Sequence, residues 1–152
     1  MAETEHTGGQ AQLTDEDQER MRRAVPKGML ASPFIKGLGV VFDRYEPDDV
    51  VLRIPFDEAL TNDGVAYHGG VIASALDTAG AVAAWSNHDF NRGNRASTVS
   101  ISVQYVGTAK SSDLVCTART VRRARELIFT EITATDVDGR VAAHAVQTYR
   151  IA

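Results

Sequence analysis

The apolar positions of this chain fall into three patterns, and each predicts a different element. Across residues 71–85 nearly every position is Ala, Val, Leu or Ile, and only Ser74, Asp77 and Thr78 are polar. A segment apolar on every face is a buried helix, and about fifteen residues are too few to cross a bilayer. Alternation marks the strands. Residues 38–45 are strand-like, and after a Glu46-Pro47-Asp48-Asp49 turn Val50, Leu52, Ile54 and Phe56 share one face. Beyond a turn-rich loop at 87–94, residues 97–106 place Val99, Ile101, Val103 and Tyr105 on one face. Thr98, Ser100, Ser102 and Gln104 fall on the other. Residues 114–121, 127–135 and 141–151 continue the alternation, and Asp138-Gly139 is a hairpin signal. The third pattern is an amphipathic covering helix. It opens on Thr14-Asp15-Glu16-Asp17, a capping-box-like start, carries Arg20, Arg22 and Arg23, and is stopped by Pro26 and Gly28.

The order is helix, two strands, a buried helix, then four strands. Long antiparallel strands with one apolar helix predict an α+β layout in which a single curved sheet wraps that helix. Residues 1–13 read as a disordered tail and residues 14–152 as one domain that includes the N-terminal helix. A chain of 152 residues buries a real core as a single domain.

Composition narrows the function classes. The chain is 43% hydrophobic and 24% charged, as in an ordinary soluble protein. A net charge of −4 gives no electrostatic case for nucleic acid or an anionic membrane. The single cysteine, Cys116, lies in an alternating apolar run and reads as a buried thiol. The polar first ten residues carry no signal-peptide pattern, so the expected location is the cytoplasm.

The chemistry concentrates where a polar loop enters the buried helix, at Asn62-Asp63-Gly64-Val65-Ala66-Tyr67-His68-Gly69-Gly70. A helix start leaves backbone N–H groups unpaired at the positive end of the dipole. Glycines let another molecule approach those groups, which is what an oxyanion hole requires; the same glycines also suit a plain tight turn. Asp77 adds a carboxylate among apolar neighbours, a costly arrangement without partners, and reads as a base or nucleophile rather than a loop anchor. Gly69 and Asp77 are eight residues apart, about 12 Å along the axis. One chain cannot bring both to one reacting carbon, so the spacing predicts a site shared across a two-fold dimer. His68, His88 and His144 lack metal-ligand spacing, and no Gly-x-Ser-x-Gly elbow makes Ser74 a nucleophile. His68 reads as a hydrogen-bonding residue rather than a base.

The spaced Asn62, His68-Gly69-Gly70 and Asp77, with the strand order around them, resemble the hotdog-fold acyl-CoA thioesterases. The resemblance is to the PaaI-like branch of the 4-hydroxybenzoyl-CoA thioesterase superfamily, over about residues 35–151. It implies a hotdog fold, an antiparallel sheet wrapped around a long central helix, here with an extra N-terminal helix. It also implies homodimers with paired sheets, commonly homotetramers, and hydrolysis of an acyl-CoA to a free acid and CoA without a metal or redox cofactor. By the same resemblance Gly69 donates its N–H to the thioester carbonyl, and Asn62 holds that region or the carbonyl. Asp77 of the facing subunit activates water or attacks directly, and Thr98 positions the water or is a plain strand threonine.

Gly70 belongs to the same turn, while Tyr67 and Trp85 line the acyl pocket or pack the core. Lys110, Arg122, Arg123 and Arg125 are the cations available to CoA phosphates, or else a solvated charge run. Two other classes use the same fold: a non-catalytic acyl-CoA-binding protein, and a hydratase or dehydratase with a His–carboxylate pair. The intact Asp77 and the His-Gly-Gly turn favour the thioesterase.

Overall fold

The computed structural model describes residues 11–152; residues 1–10, most of the expected tail, lie outside the described residues. In chain order the elements are α1 (Asp15–Leu30), α2 (Pro33–Gly37), β1 (Val41–Glu46), β2 (Asp49–Ile54), α3 (Gly69–Ser86), β3 (Ala96–Tyr105), β4 (Leu114–Ala124), β5 (Leu127–Thr135) and β6 (Val141–Ile151). Six strands form one antiparallel sheet in the order β1-β2-β4-β5-β6-β3, with α3 packed on its inner face. The expected α+β architecture is the observed one.

The core is built by the two predicted periodicities meeting. Val50, Leu52 and Ile54 of β2 are fully buried, as are Leu114, Cys116 and Ala118 of β4 and Ala75, Leu76, Ala79 and Val82 of α3. Burial pushes the Cys116 thiol up to about 12, so it is an inert core group. Among the described residues no helix is long and apolar enough to cross a membrane.

Four local expectations are corrected. First, α1 has its capping box, with Thr14 Oγ1 accepting from Asp17 N–H, but it does not stop at Pro26; it runs on to Leu30. A proline inside a helix strands the carbonyl four residues back. Here that carbonyl, Arg22 O, accepts from Tyr45 Oη at 2.8 Å, so the tertiary structure supplies the missing donor. Second, the predicted first strand starts late: Leu38 is the C-cap of α2 and Gly39 at φ +67° turns the chain out of that helix, so β1 begins only at Val41. Third, β4 does not end at Val121. A register shift between Thr120 and Arg122 leaves Val121 as an extra, exposed residue, and pairing resumes to Ala124. Fourth, a similar shift between Thr98 and Ser100 breaks the alternation of β3. Val99 is thrown outward at 56% exposure, and Thr98 turns to the inner side with Ile101 and Val103.

Candidate active site

The loop before α3 is held rigid by its own polar groups. Asp63 Oδ1 accepts from the N–H groups of Val65 and Ala66, and Thr61 Oγ1 accepts from Gly64 N–H. Two strand-like bridges, Thr61 to Tyr67 and Ala66 to Lys110, tie it to itself and to the segment before β4. Tyr67 is 3% exposed, packs edge-on against Phe56, and donates its hydroxyl to Ile54 O at 3.2 Å. Burial pushes its phenol up to about 12. Tyr67 therefore anchors the loop in the core and does not line a pocket. The Asn62 side chain is exposed and has no hydrogen-bond partner among the described residues, while its N–H is spent on Ala66 O.

The start of α3 refines the expected set of free donors. His68 is the N-cap, and its Nδ1 accepts from Gly70 N–H at 2.8 Å. An accepting Nδ1 carries no proton, so the neutral ring has its proton on Nε2. The N–H groups of Val71 and Ile72 both reach His68 O. Of the first four N–H groups in α3, Gly69 alone has no acceptor among the described residues. The Gly69 carbonyl accepts from Tyr105 Oη at 2.9 Å, which steadies the first turn from β3. The expected donor is present as one N–H, at the positive end of the helix dipole.

Asp77 lies two turns further on. The expectation of a carboxylate sealed in the core is corrected, because Asp77 is half-buried beside half-buried Ala73 and Ser74. Its Oδ1 accepts from Thr98 Oγ1 at 2.7 Å and from Gln147 Nε2 at 2.6 Å. Its Oδ2 has no partner among the described residues. The β3 bulge is what brings Thr98 here: without the extra residue at Val99 its hydroxyl would face away from α3.

Gln147 is the residue that the sequence reading missed. It is 2% exposed on β6, also donates to Asp77 O at 3.0 Å, and accepts from Thr130 Oγ1 at 3.1 Å. Gly80 makes room for it, since a Cβ at that position would collide with the Gln147 amide and with Thr130 Oγ1.

The remaining candidates divide by position. Lys110 is exposed beside the loop that leads into Gly69. Arg123 sits at the opposite end of α3, paired with Asp48 and donating to Ala84 O at 2.9 Å; it is a structural residue and is not free for a phosphate. Arg122, near the end of β4, and Arg125, on the β4–β5 connection, are exposed at that same far end. Trp85 stacks on Phe90 and donates its indole N–H to Tyr149 Oη at 3.3 Å. Among the described residues no group of three His, Cys, Asp or Glu side chains converges as a metal site would.

The family model of the thioesterase superfamily matches residues 66–143. The chain belongs to that family. The matched segment contains Gly69, Asp77 and Thr98 and stops short of Gln147. Among solved structures, a thioesterase family protein from Silicibacter pomeroyi is 28% identical, with a TM-score of 0.77, over 86% of this chain and 98% of that one. The PaaI protein of the E. coli phenylacetic acid degradation operon shares the fold at 16% identity and a TM-score of 0.77, over 89% of this chain and 96% of that one. A thioesterase protein from Streptococcus pneumoniae, solved with coenzyme A, shares it at 18% identity and a TM-score of 0.66, over 74% and 85%. The fold is the hotdog fold, as the PaaI-like resemblance implied, and membership of the superfamily places the chain among thioester hydrolases.

Proposed function

We propose that this member of the thioesterase superfamily hydrolyses acyl-CoA thioesters at a site shared by two subunits of a homodimer. The observation that carries the reading is the division of labour along α3. Among the described residues one backbone N–H at Gly69 is left unspent, and eight residues on a carboxylate has one oxygen held by two donors and the other unpartnered. The two groups stand about 12 Å apart along one helix, too far to act on one carbonyl in the same chain. A two-fold partner with its α3 antiparallel brings Asp77 of one subunit to Gly69 of the other. The half-exposed strip Ala73, Ser74 and Asp77 on a largely buried helix is the surface such a partner covers. Pairing of two such dimers gives the homotetramer that the resemblance implies.

In the reaction, Gly69 N–H binds the thioester carbonyl oxygen. Asp77 Oδ2 takes a proton from the attacking water, while Thr98 and Gln147 hold Oδ1 so that the free oxygen keeps its aim. The oxygen gains negative charge in the tetrahedral intermediate, where the Gly69 donor is worth most. When the C–S bond breaks, the proton passes from Asp77 to the departing thiolate, giving a carboxylic acid and CoA. Lys110, beside the same helix start, is the cation placed to meet a phosphate of the CoA. The coenzyme A bound by the structural relative from Streptococcus pneumoniae supports that substrate class.

The test is thiol release from a panel of acyl-CoAs, with wild type and Asp77→Asn compared. The variant is expected to lose about 10²–10⁴-fold in kcat with its melting temperature held. Mixed dimers of an Asp77 variant and a Gly69 variant should regain up to about half of the sites. Wild-type turnover that Asp77→Asn leaves intact would overturn the assignment.

A further inference from the structure

We propose that Trp85 is the end wall of the acyl site, and that it restricts the enzyme to compact acyl groups, with an open apolar groove beside α1 on its far side. The inference rests on the thioesterase reading above and adds the length of acyl group that the site accepts. Its starting point is a row on α3. Asp77, Ala81 and Trp85 are spaced i, i+4 and i+8, so they lie one above another along one face. Toward the N-terminus of Asp77 that face turns polar and open, through Ser74 and exposed Gly70 to exposed His68. Toward the C-terminus it is apolar. Ala81 offers only a methyl group and packs in a small cluster with Ala84, Ile128, Tyr149 and Ile151, with Met29 and Trp85 against it. An acyl group whose carbonyl carbon sits at Asp77 therefore finds its apolar direction toward Trp85.

Trp85 is fixed as a wall would be. Its indole N–H donates to Tyr149 Oη at 3.3 Å, and its ring stacks on Phe90 with centroids 5.4 Å apart. Tyr149 stands between the two ends of the row: it pairs with Thr98 across the strands, and Asp77 contributes to the upward push that burial gives its phenol. The other side of Trp85 is open. With Val25, Gly28, Met29, Ser32, Phe90 and Asn94 it bounds a predominantly apolar groove of about 310 Å³, open to solvent, beside the C-terminal half of α1. Helix α1 reaches that position because it continues through Pro26, so its last turns form one side of the groove.

Removal of the indole should join the groove to the acyl path. Trp85→Leu is expected to raise kcat/KM for decanoyl-CoA relative to hexanoyl-CoA by about tenfold or more, the scale of a few methylenes gaining an apolar pocket. Val25→Phe added to that variant fills the groove and should reverse the gain. Trp85→Phe, a milder change, should shift the profile in the same direction by less. Trp85 is also the only tryptophan of the chain, so intrinsic emission reads this side chain alone. Hexanoate and phenylacetate, as free product acids, should change the wild-type emission, whereas acetate, too short to reach, should not.

An unchanged chain-length profile in folded Trp85→Leu and Trp85→Phe, with no emission response to any acid, would overturn the inference while leaving thioester hydrolysis standing. If the wild type hydrolyses no acyl-CoA, the thioesterase reading fails. The emission titration then decides the wall by itself.

Discussion

The two ends of α3 have opposite fates, although both begin with the same deficit of backbone partners. At the C-terminal end the loose carbonyls are tied off. Ala83 O accepts from Ser86 Oγ at 2.7 Å and Thr120 Oγ1 at 3.2 Å, Ala84 O accepts from Arg123 at 2.9 Å, and Asp48 balances the guanidinium charge. At the N-terminal end the cap is incomplete. His68 satisfies Gly70 and the next two N–H groups find His68 O, yet Gly69 is left over. A helix end tied off in this way can only stabilise; one with a donor to spare can bind. The difference places stability at one pole of the helix and chemistry at the other, and substitutions at the two poles should separate the two properties.

The largest effect is expected from Gly69→Pro. Proline at the first helical position is well tolerated, because its missing N–H has no intrahelical partner there and its φ suits a helix start. His68, at ψ 136°, already has the extended conformation that a residue before proline prefers. A Cβ at position 69 would meet the Tyr105 ring at 3.6 Å, an ordinary contact. The substitution thus deletes one N–H and little else. Thiol release should fall by about 10²–10³-fold with melting temperature nearly unchanged. Full activity in a folded Gly69→Pro would remove the donor from the mechanism.

Arg123→Ala is the matching test at the sealed pole. It removes two charge-assisted bonds to Asp48 and the donors to Ala83 O and Ala84 O. Since both side chains of the pair keep about a third of their surface in water, a loss of about 2 kcal/mol is expected in denaturant unfolding. Steady-state kcat at a temperature where the variant stays folded should match wild type. A drop in kcat larger than the drop in folded fraction would show that this pole also serves the chemistry.

How much of this was legible in the sequence depended on whether the signal was local. The apolar run of α3, the bounds of β5 and β6, and the His-Gly-Gly start could all be read, because each is written in consecutive residues. The bulges at Val99 and Val121 could not be read, since one extra residue inverts the alternation on which strand reading depends. That is why Thr98 was assigned to the wrong face of β3, although it was among the candidate site residues. Pro26 was read as a stop by a sound local rule that Tyr45, a residue far along the chain, overrides. Gln147 left a faint trace: on β6 it shares a face with Ala143, Ala145, Tyr149 and Ile151, an amide among inward-facing residues. An amide at a buried strand position must have partners, and here those partners are Asp77 and Thr130. The pairing of Arg123 with Asp48 spans 75 residues and left no sign in either neighbourhood.

The smallest effect separates the two histidines that flank α3. His88 lies just past the sealed pole, 5% exposed, edge-on to Trp85 and Phe90, with Nε2 donating to Gly93 O at 2.9 Å. Burial holds its pKa below the usual histidine value; the Gly93 carbonyl and Asp89 pull it back upward, while Arg123 and Arg92 push it further down. A lowered folded pKa means that the unfolded chain binds a proton before the folded one does. Stability should therefore be level above the ordinary histidine pKa of about 6.5 and fall as pH drops below it, until the folded pKa is passed. Denaturant midpoints measured from pH 7.5 to pH 5 on wild type and His88→Gln should show this: the wild-type curve bends downward and the variant's bends less. Because His88 backs Trp85, the same acid range should also shift the tryptophan emission before global unfolding. Equal slopes in the two proteins would mean that His88 titrates as freely in the folded chain as in the unfolded one, and the sealed pole would then be more open to water than its hydrogen bonds imply.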